Sequence, residues 1–285
     1  MEQVVATLTN VFVLSSIYIL VALGFSFLFN MLGILNLAHG AIYMVGGYIG
    51  LALIRTLGVN PWLALLMTTL IVSAFGVLLE KFCFRPFVGD FNRSIMICVV
   101  ITIILQTTVN LIAGTEILSL PPFVKGVYRM GPVAVSYEKI ATFSIGTFLL
   151  LAIILFVNRT KWGLQMQAVT QDMEAAALQG INIRRISALA CAMGCGLAAI
   201  SGCLIGAYLN LGPFMGDFML IKILMIVILA GAGSVGGIFI TGFALGTLDS
   251  VLPLLLKGAV SEAVAVLAVI VLLLIRPRGF FGHEV

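Results

Sequence analysis

Charge is what this sequence mostly lacks. Asp, Glu, Lys and Arg together make 9% of 285 residues, and from Gln3 to Ile54 there is none of the four. Soluble globular chains are about a quarter charged, so water is excluded as the solvent for most of this chain and lipid takes its place. The uncharged stretch alone has room for two membrane spans of ~20 residues. A cleaved signal peptide is not expected, because Glu2 stands where a basic n-region belongs and the apolar run is too long.

Other absences narrow the chemistry. No Gly-x-x-x-x-Gly-Lys-Ser/Thr occurs, so any ATP must be held by a partner. Histidine occurs only at 39 and 283, and no span carries a nucleophile–base pair or metal cluster, which argues against an intramembrane enzyme. The cysteines at 83, 98, 191, 195 and 203 fall mostly in apolar segments with no His or carboxylate beside them. They are expected to be small buried residues rather than ligands.

What is present is apolar and segmented. The chain is 62% hydrophobic with a mean hydropathy of +1.23. It divides into nine expected spans, 8–29, 38–54, 61–79, 94–113, 141–157, 186–208, 218–231, 237–256 and 259–275. The expected fold is therefore all-α, a polytopic membrane protein in one transmembrane domain over 1–285. Some of its 8–10 membrane segments are expected to be broken or half helices, because several are shorter than ~20 residues. Pro121-Pro122 and Gly131-Pro132 punctuate the segment from Gly114 to Ile140, where a small hairpin or a plain connector fits. Gly-x-x-x-Gly spacings at 46/50, 202/206, 233/237 and 242/246 suit close helix packing in lipid.

The net charge of +4 lies in short loops, an orientation signal rather than a nucleic-acid surface. Loop 80–93, loop 158–185 and the tail carry nine basic residues on one side. The other side has six: Arg55, Lys125, Arg129, Lys139, Lys222 and Lys257. The positive-inside rule then places the N-terminus outside and the C-terminus inside.

Three motifs stand out. "NLAHGAIYMVGGYIG" from Asn36 puts an amide, an imidazole and several glycines inside an uncharged run. "TKWGLQMQAVTQDMEAAALQGIN" from Thr160 is the longest inner loop. It is expected to be helical from Gln165 to Gln179, with Asp172 and Glu174 suiting a helix start and Gly180 a stop. Ala175, Ala176, Ala177 and Leu178 would offer a small, flat, slightly apolar docking surface. The third motif is the ending "RPRGFFG".

Together, in this order, these motifs resemble the permease subunits of bacterial branched-chain amino-acid importers of the ATP-binding-cassette class. The resemblance covers about Leu20 to Gly282. It departs at Gly236, where relatives usually carry proline, and at Gln167, where many carry arginine. What the resemblance implies is a multi-pass permease of the bacterial inner membrane, with no cofactor of its own. It would work beside a second, related permease (a heterodimer) and two ATPase subunits holding ATP and Mg. An extracytoplasmic solute-binding protein would deliver the substrate. On that reading Asp172, Glu174, Ala175, Ala176 and Gly180 form the coupling element to the ATPases. Leucine-like amino acids, other hydrophobic amino acids, and urea or short amides all remain open as substrates. A secondary transporter is the competing class, but it would need no docking loop.

Two further places point to a substrate path. Asn36 and His39, three apart, share a helix face, and with Gly40 they would form a polar seam on the path or hydrogen-bond to a neighbouring helix. Asp249, a carboxylate deep in a span, would line the path or a subunit interface, pair with Lys257, or be satisfied by neighbouring hydroxyls. The glycine-rich stretch from Leu229 to Gly242 is a candidate counterpart of the first motif in an internal repeat. The orientation has a direct check. In a background without native cysteines, a cysteine at Ser136 should react with an impermeant thiol reagent from outside and one at Thr170 should not; the reverse pattern would invert the topology.

Overall fold

The computed structural model describes residues 2–130, 133–231, 234–256, 259–276 and 279–280. Lys257, Gly233 and His283 therefore lie outside the described residues. Eleven α-helices follow in order among the described residues: α1 (Glu2–Leu32), α2 (His39–Leu57), α3 (Pro61–Leu79), α4 (Phe91–Ala113), α5 (Tyr137–Arg159), α6 (Lys161–Gln171), α7 (Met173–Leu178), α8 (Ile183–Tyr208), α9 (Met215–Ala230), α10 (Val235–Leu255) and α11 (Ala259–Ile275). Seven of them, α1 to α5, α8 and α10, are long and apolar enough to cross a membrane. α9 and α11 are shorter, at 16 and 17 residues. The all-α polytopic fold is the one expected. Between α4 and α5, β1 (Val127–Met130) and β2 (Val133–Ser136) form the small antiparallel hairpin, with Val127 opposite Ser136.

Helix starts divide into two kinds. Those of α3, α4, α5, α8 and α10 are capped by Asn60, Asp90, Ser136, Asn182 and Ser234, whose side chains each accept a backbone N–H of the first turn. α2 and α9 have no side-chain cap. Each instead opens on a tight turn, His39 N–H to Asn36 O at 3.1 Å and Met215 N–H to Gly212 O at 3.1 Å. The reason is where they start. His39 Nε2 lies 3.2 Å from the carbonyl oxygen of Val21, eleven residues, or about 16 Å, back from the end of α1. The chain leaves α1 at Leu32, returns through 33–38, and begins α2 deep beside α1. The first motif therefore starts its helix beside the middle of α1, although α2 is itself long enough to cross a membrane.

The same device recurs. α8 ends at Tyr208, the chain returns through 209–214, and α9 begins against α2. The starts of α2 and α9 meet so closely that a Cβ on Gly40 would collide with the Gly216 carbonyl, and one on Gly216 with the Gly40 carbonyl. Gly24 of α1 and Gly194 of α8 meet reciprocally in the same way. α1 and α8 run antiparallel and pack on each other, α1 packs as closely on α10, and α8 packs as closely on α3 and α2. α1–α2–α3 and α8–α9–α10 are thus related as an inverted pair. The return that meets the start of α2 is 209–214, while the stretch 229–242 includes residues outside those described.

Glycine at 40 and 216 is required by that approach. Gly40→Val should lower the unfolding temperature of the detergent-solubilised protein by an overpacking penalty of about 1–3 kcal/mol. Gly236→Ala, where nothing lies within 4 Å, should leave it unchanged.

Candidate substrate path and coupling surface

The return 33–38 delivers Asn36 and His39 into the interior. Asn36 Oδ1 accepts the Ala38 N–H at 3.1 Å, so its side chain braces its own turn, while Nδ2 has no partner. His39 is fully buried. Its Nε2 contacts a carbonyl, which can only accept, so Nε2–H donates to Val21. The ring stands edge-on to Phe25 at 5.7 Å. Both residues lie inside the subunit, and His39 takes the arrangement of the interhelical alternative, clasping α2 to α1. The shared helix face expected for them does not form, because Asn36 precedes the helix.

Asp249 is the residue that meets open space. Its Oδ2 accepts from Lys222 Nζ at 2.5 Å and from Tyr18 OH at 2.6 Å, and Lys222 Nζ also donates to Tyr18 OH at 3.0 Å. The triad joins α9, α10 and α1. Lys222, counted above with the outer loops, lies inside α9 and pairs with Asp249 from there, while the pairing expected for Lys257 falls outside the described residues. Lys222 and Tyr18 had not been singled out. The available signal was a lysine 27 residues before Asp249, one opposite charge in each of two consecutive apolar segments.

Cavities surround this triad. One of 260 Å³ lies between α9, α10 and α11, bounded by Phe218, Ile221, Met225 and Leu245 together with Lys222, Asp249 and Glu262. A second, of 690 Å³, extends from Tyr18, Lys222 and Asp249 along the first turns of α1 past Asn10 and Thr7. A third, of 220 Å³, again borders Tyr18, Lys222 and Glu262. None of the three has a wall from Asn36, His39 or Gly40.

The long inner loop is not one helix. Asp172, extended at φ −154° and ψ 106°, ends α6 and caps α7 by accepting the Ala175 N–H at 2.9 Å. α7 stops at Gly180, whose φ of +82° suits glycine, with Ile181 N–H returning to Ala176 O at 3.1 Å. Ala176 is buried against the bundle, so it anchors the element instead of joining the expected flat surface. Asp172, Glu174 and Gly180 are exposed and Ala175 is half-buried. Leu178, at 90%, is the most exposed large apolar side chain among the described residues. Trp162, Leu164 and Met173 are exposed nearby on α6 and α7.

A helical bundle with seven helices long and apolar enough to span a membrane, two of its helix starts meeting in the interior and a capped helical element on one end, is the architecture of a multi-pass membrane protein. Residues 7–276 match the family described as branched-chain amino acid transport system, permease component, and the chain belongs to that family. It is 30% identical, over 95% of its length and 92% of theirs, to the high-affinity branched-chain amino acid transport permease LivH of Escherichia coli K12 and of Salmonella typhimurium. It is 31% identical to BraD of Pseudomonas aeruginosa, described in the same words, over 97% of this chain and 95% of that one. In fold it resembles PsaBC from Streptococcus pneumoniae, with a TM-score of 0.51 at 16% identity, covering 94% of this chain and 90% of that one.

The Lys222–Asp249 pair has little exposure, 23% and 9% for the two side chains. Removing one partner leaves the other charge unmatched, so Lys222→Met or Asp249→Asn alone should each cost about 3–5 kcal/mol of stability. The double substitution should cost clearly less than the sum. Thermal unfolding of the four proteins in detergent checks this cycle.

Proposed function

We propose that this permease imports branched-chain or other hydrophobic amino acids across the bacterial inner membrane by ATP-driven alternating access. It would do so beside a second, related permease, with two ATPase subunits that hold ATP and Mg and a solute-binding protein outside. The observation that carries this reading is the coupling element. A lone exposed leucine needs no explanation. A capped α7 presenting Leu178, next to exposed Trp162, Leu164 and Met173 and braced through buried Ala176, is a surface built for a partner. Because Ala176 and the α6–α7 break tie it to the bundle, a push on α7 would be delivered to the helices as a rigid-element movement.

Asp249 carries the substrate-path part of the proposal, since it borders two cavities. Asn36, His39 and Gly40 serve that path indirectly, by holding the start of α2 against α1 and α9. The relatives' names favour amino acids over urea or short amides.

Glu174→Lys and Gly180→Val test the coupling. Each should leave the permease assembled in the membrane while abolishing ATPase co-purification and uptake. Substitutions that keep both would remove the assignment. Substrate-stimulated ATP hydrolysis by the reconstituted complex with its binding protein should rise with leucine, isoleucine or valine and not with urea.

A further inference from the structure

Three cavities converge on Lys222 and Glu262, and two of them on Asp249. We propose that this convergence is a binding site for the zwitterionic head of an aliphatic α-amino acid. The substrate carboxylate would rest on Lys222 and its ammonium between Asp249 and Glu262. The side chain would lie in the 260 Å³ cavity against Phe218, Ile221, Met225 and Leu245. The inference rests on the transport function proposed above and names the group that recognises the substrate.

Charge balance carries it. Among the described residues one ammonium and two carboxylates border the cavities, a formal charge of −1. An incoming ammonium offsets the surplus carboxylate, whereas a free carboxylate would deepen the imbalance to −2 in a medium where unmatched charge is costly, so an anionic group is admitted only with a cation attached to it. The donor inventory agrees. Lys222 Nζ uses two of its three protons, on Asp249 and Tyr18, and the third remains for an incoming carboxylate. Glu262 is exposed toward the cavities and supplies the second acceptor for an ammonium. A pair whose only task was to tie α9 to α10 would be served by burial in packing. This one stands at the edge of open space with an apolar pocket on one side and, on the other, a 690 Å³ passage along the first turns of α1.

The test uses the whole complex, both permeases and the ATPases in proteoliposomes, free of native cysteines and carrying Ala263→Cys, a position on the 260 Å³ cavity. Alkylation of that thiol by a small methanethiosulfonate is followed with leucine, leucinol (no carboxylate) or 4-methylpentanoate (no ammonium). Leucine should slow the reaction. Each analogue should protect about tenfold less well, as expected for losing one charge-assisted contact. Protection should also vanish in Glu262→Gln and in the charge-balanced Lys222→Met with Asp249→Asn, both of which should still co-purify with the ATPases. Equal protection by all three compounds, protection that survives in both variants, or none by leucine would overturn the site. Leucine uptake by the unmodified complex is measured in parallel. Uptake without protection removes the site and keeps the transport function. Protection without uptake keeps the site and removes the function.

Discussion

Hydrocarbon offers the backbone no hydrogen bonds, and this constraint shapes the whole molecule. Helices satisfy their own N–H and C=O groups, so most of the chain is helical. Where the helix is interrupted inside the bundle, other groups must substitute. At 33–38 the Asn36 side chain takes the Ala38 N–H. At 209–214, Leu211 exchanges backbone hydrogen bonds with Leu118, at 2.9 and 2.6 Å, so the loop after α4 completes a return made after α8. Protein covers the inner part of each return, Ile34, Asn36 and Ala38 in the first and Leu211 and Pro213 in the second, while Gly33, Leu209, Asn210 and Phe214 stay exposed.

The two returns have a consequence for function. They place the starts of α2 and α9 against each other inside the bundle, with glycine backbones in contact. Two antiparallel units meeting on glycine have no bulky side chains to lock them, and small residues at such contacts let helices pack by close backbone approach. Polar side chains then decide what is clasped. His39 ties α2 to α1, while Tyr18, Lys222 and Asp249 tie α1, α9 and α10 around open space. The first is a closed contact and the second borders three cavities, which is why the charged cluster, and not the amide–imidazole pair, is the better candidate for meeting a solute.

Much of the fold was legible in the sequence. The apolar runs gave the membrane helices to within a few residues at most ends, since length and hydropathy report directly on burial in lipid. Asp172 and Gly180 were readable as a start and a stop because capping and left-handed termination are local chemistry. Ala176 was not readable as an anchor. In a run of three alanines, the buried one is chosen by the helix rotation that the Asp172 break imposes, not by residue type.

The sequence by itself determined the solvent, the all-α class, the helix ends that carry polar caps, and the family, because each depends on residues near one another in the chain. Tertiary structure alone decided that the two returns meet on Gly40 and Gly216 and that Lys222 and Tyr18 reach Asp249. It also decided whether Asn36 and His39 face a cavity or a neighbouring helix. Those outcomes turn on contacts such as Tyr18 with Asp249, 231 residues apart, and on returns whose depth no local pattern records. A lysine in an apolar segment reads the same from sequence at a membrane surface or beside a buried carboxylate; only the packing of α9 between α1 and α10 tells them apart.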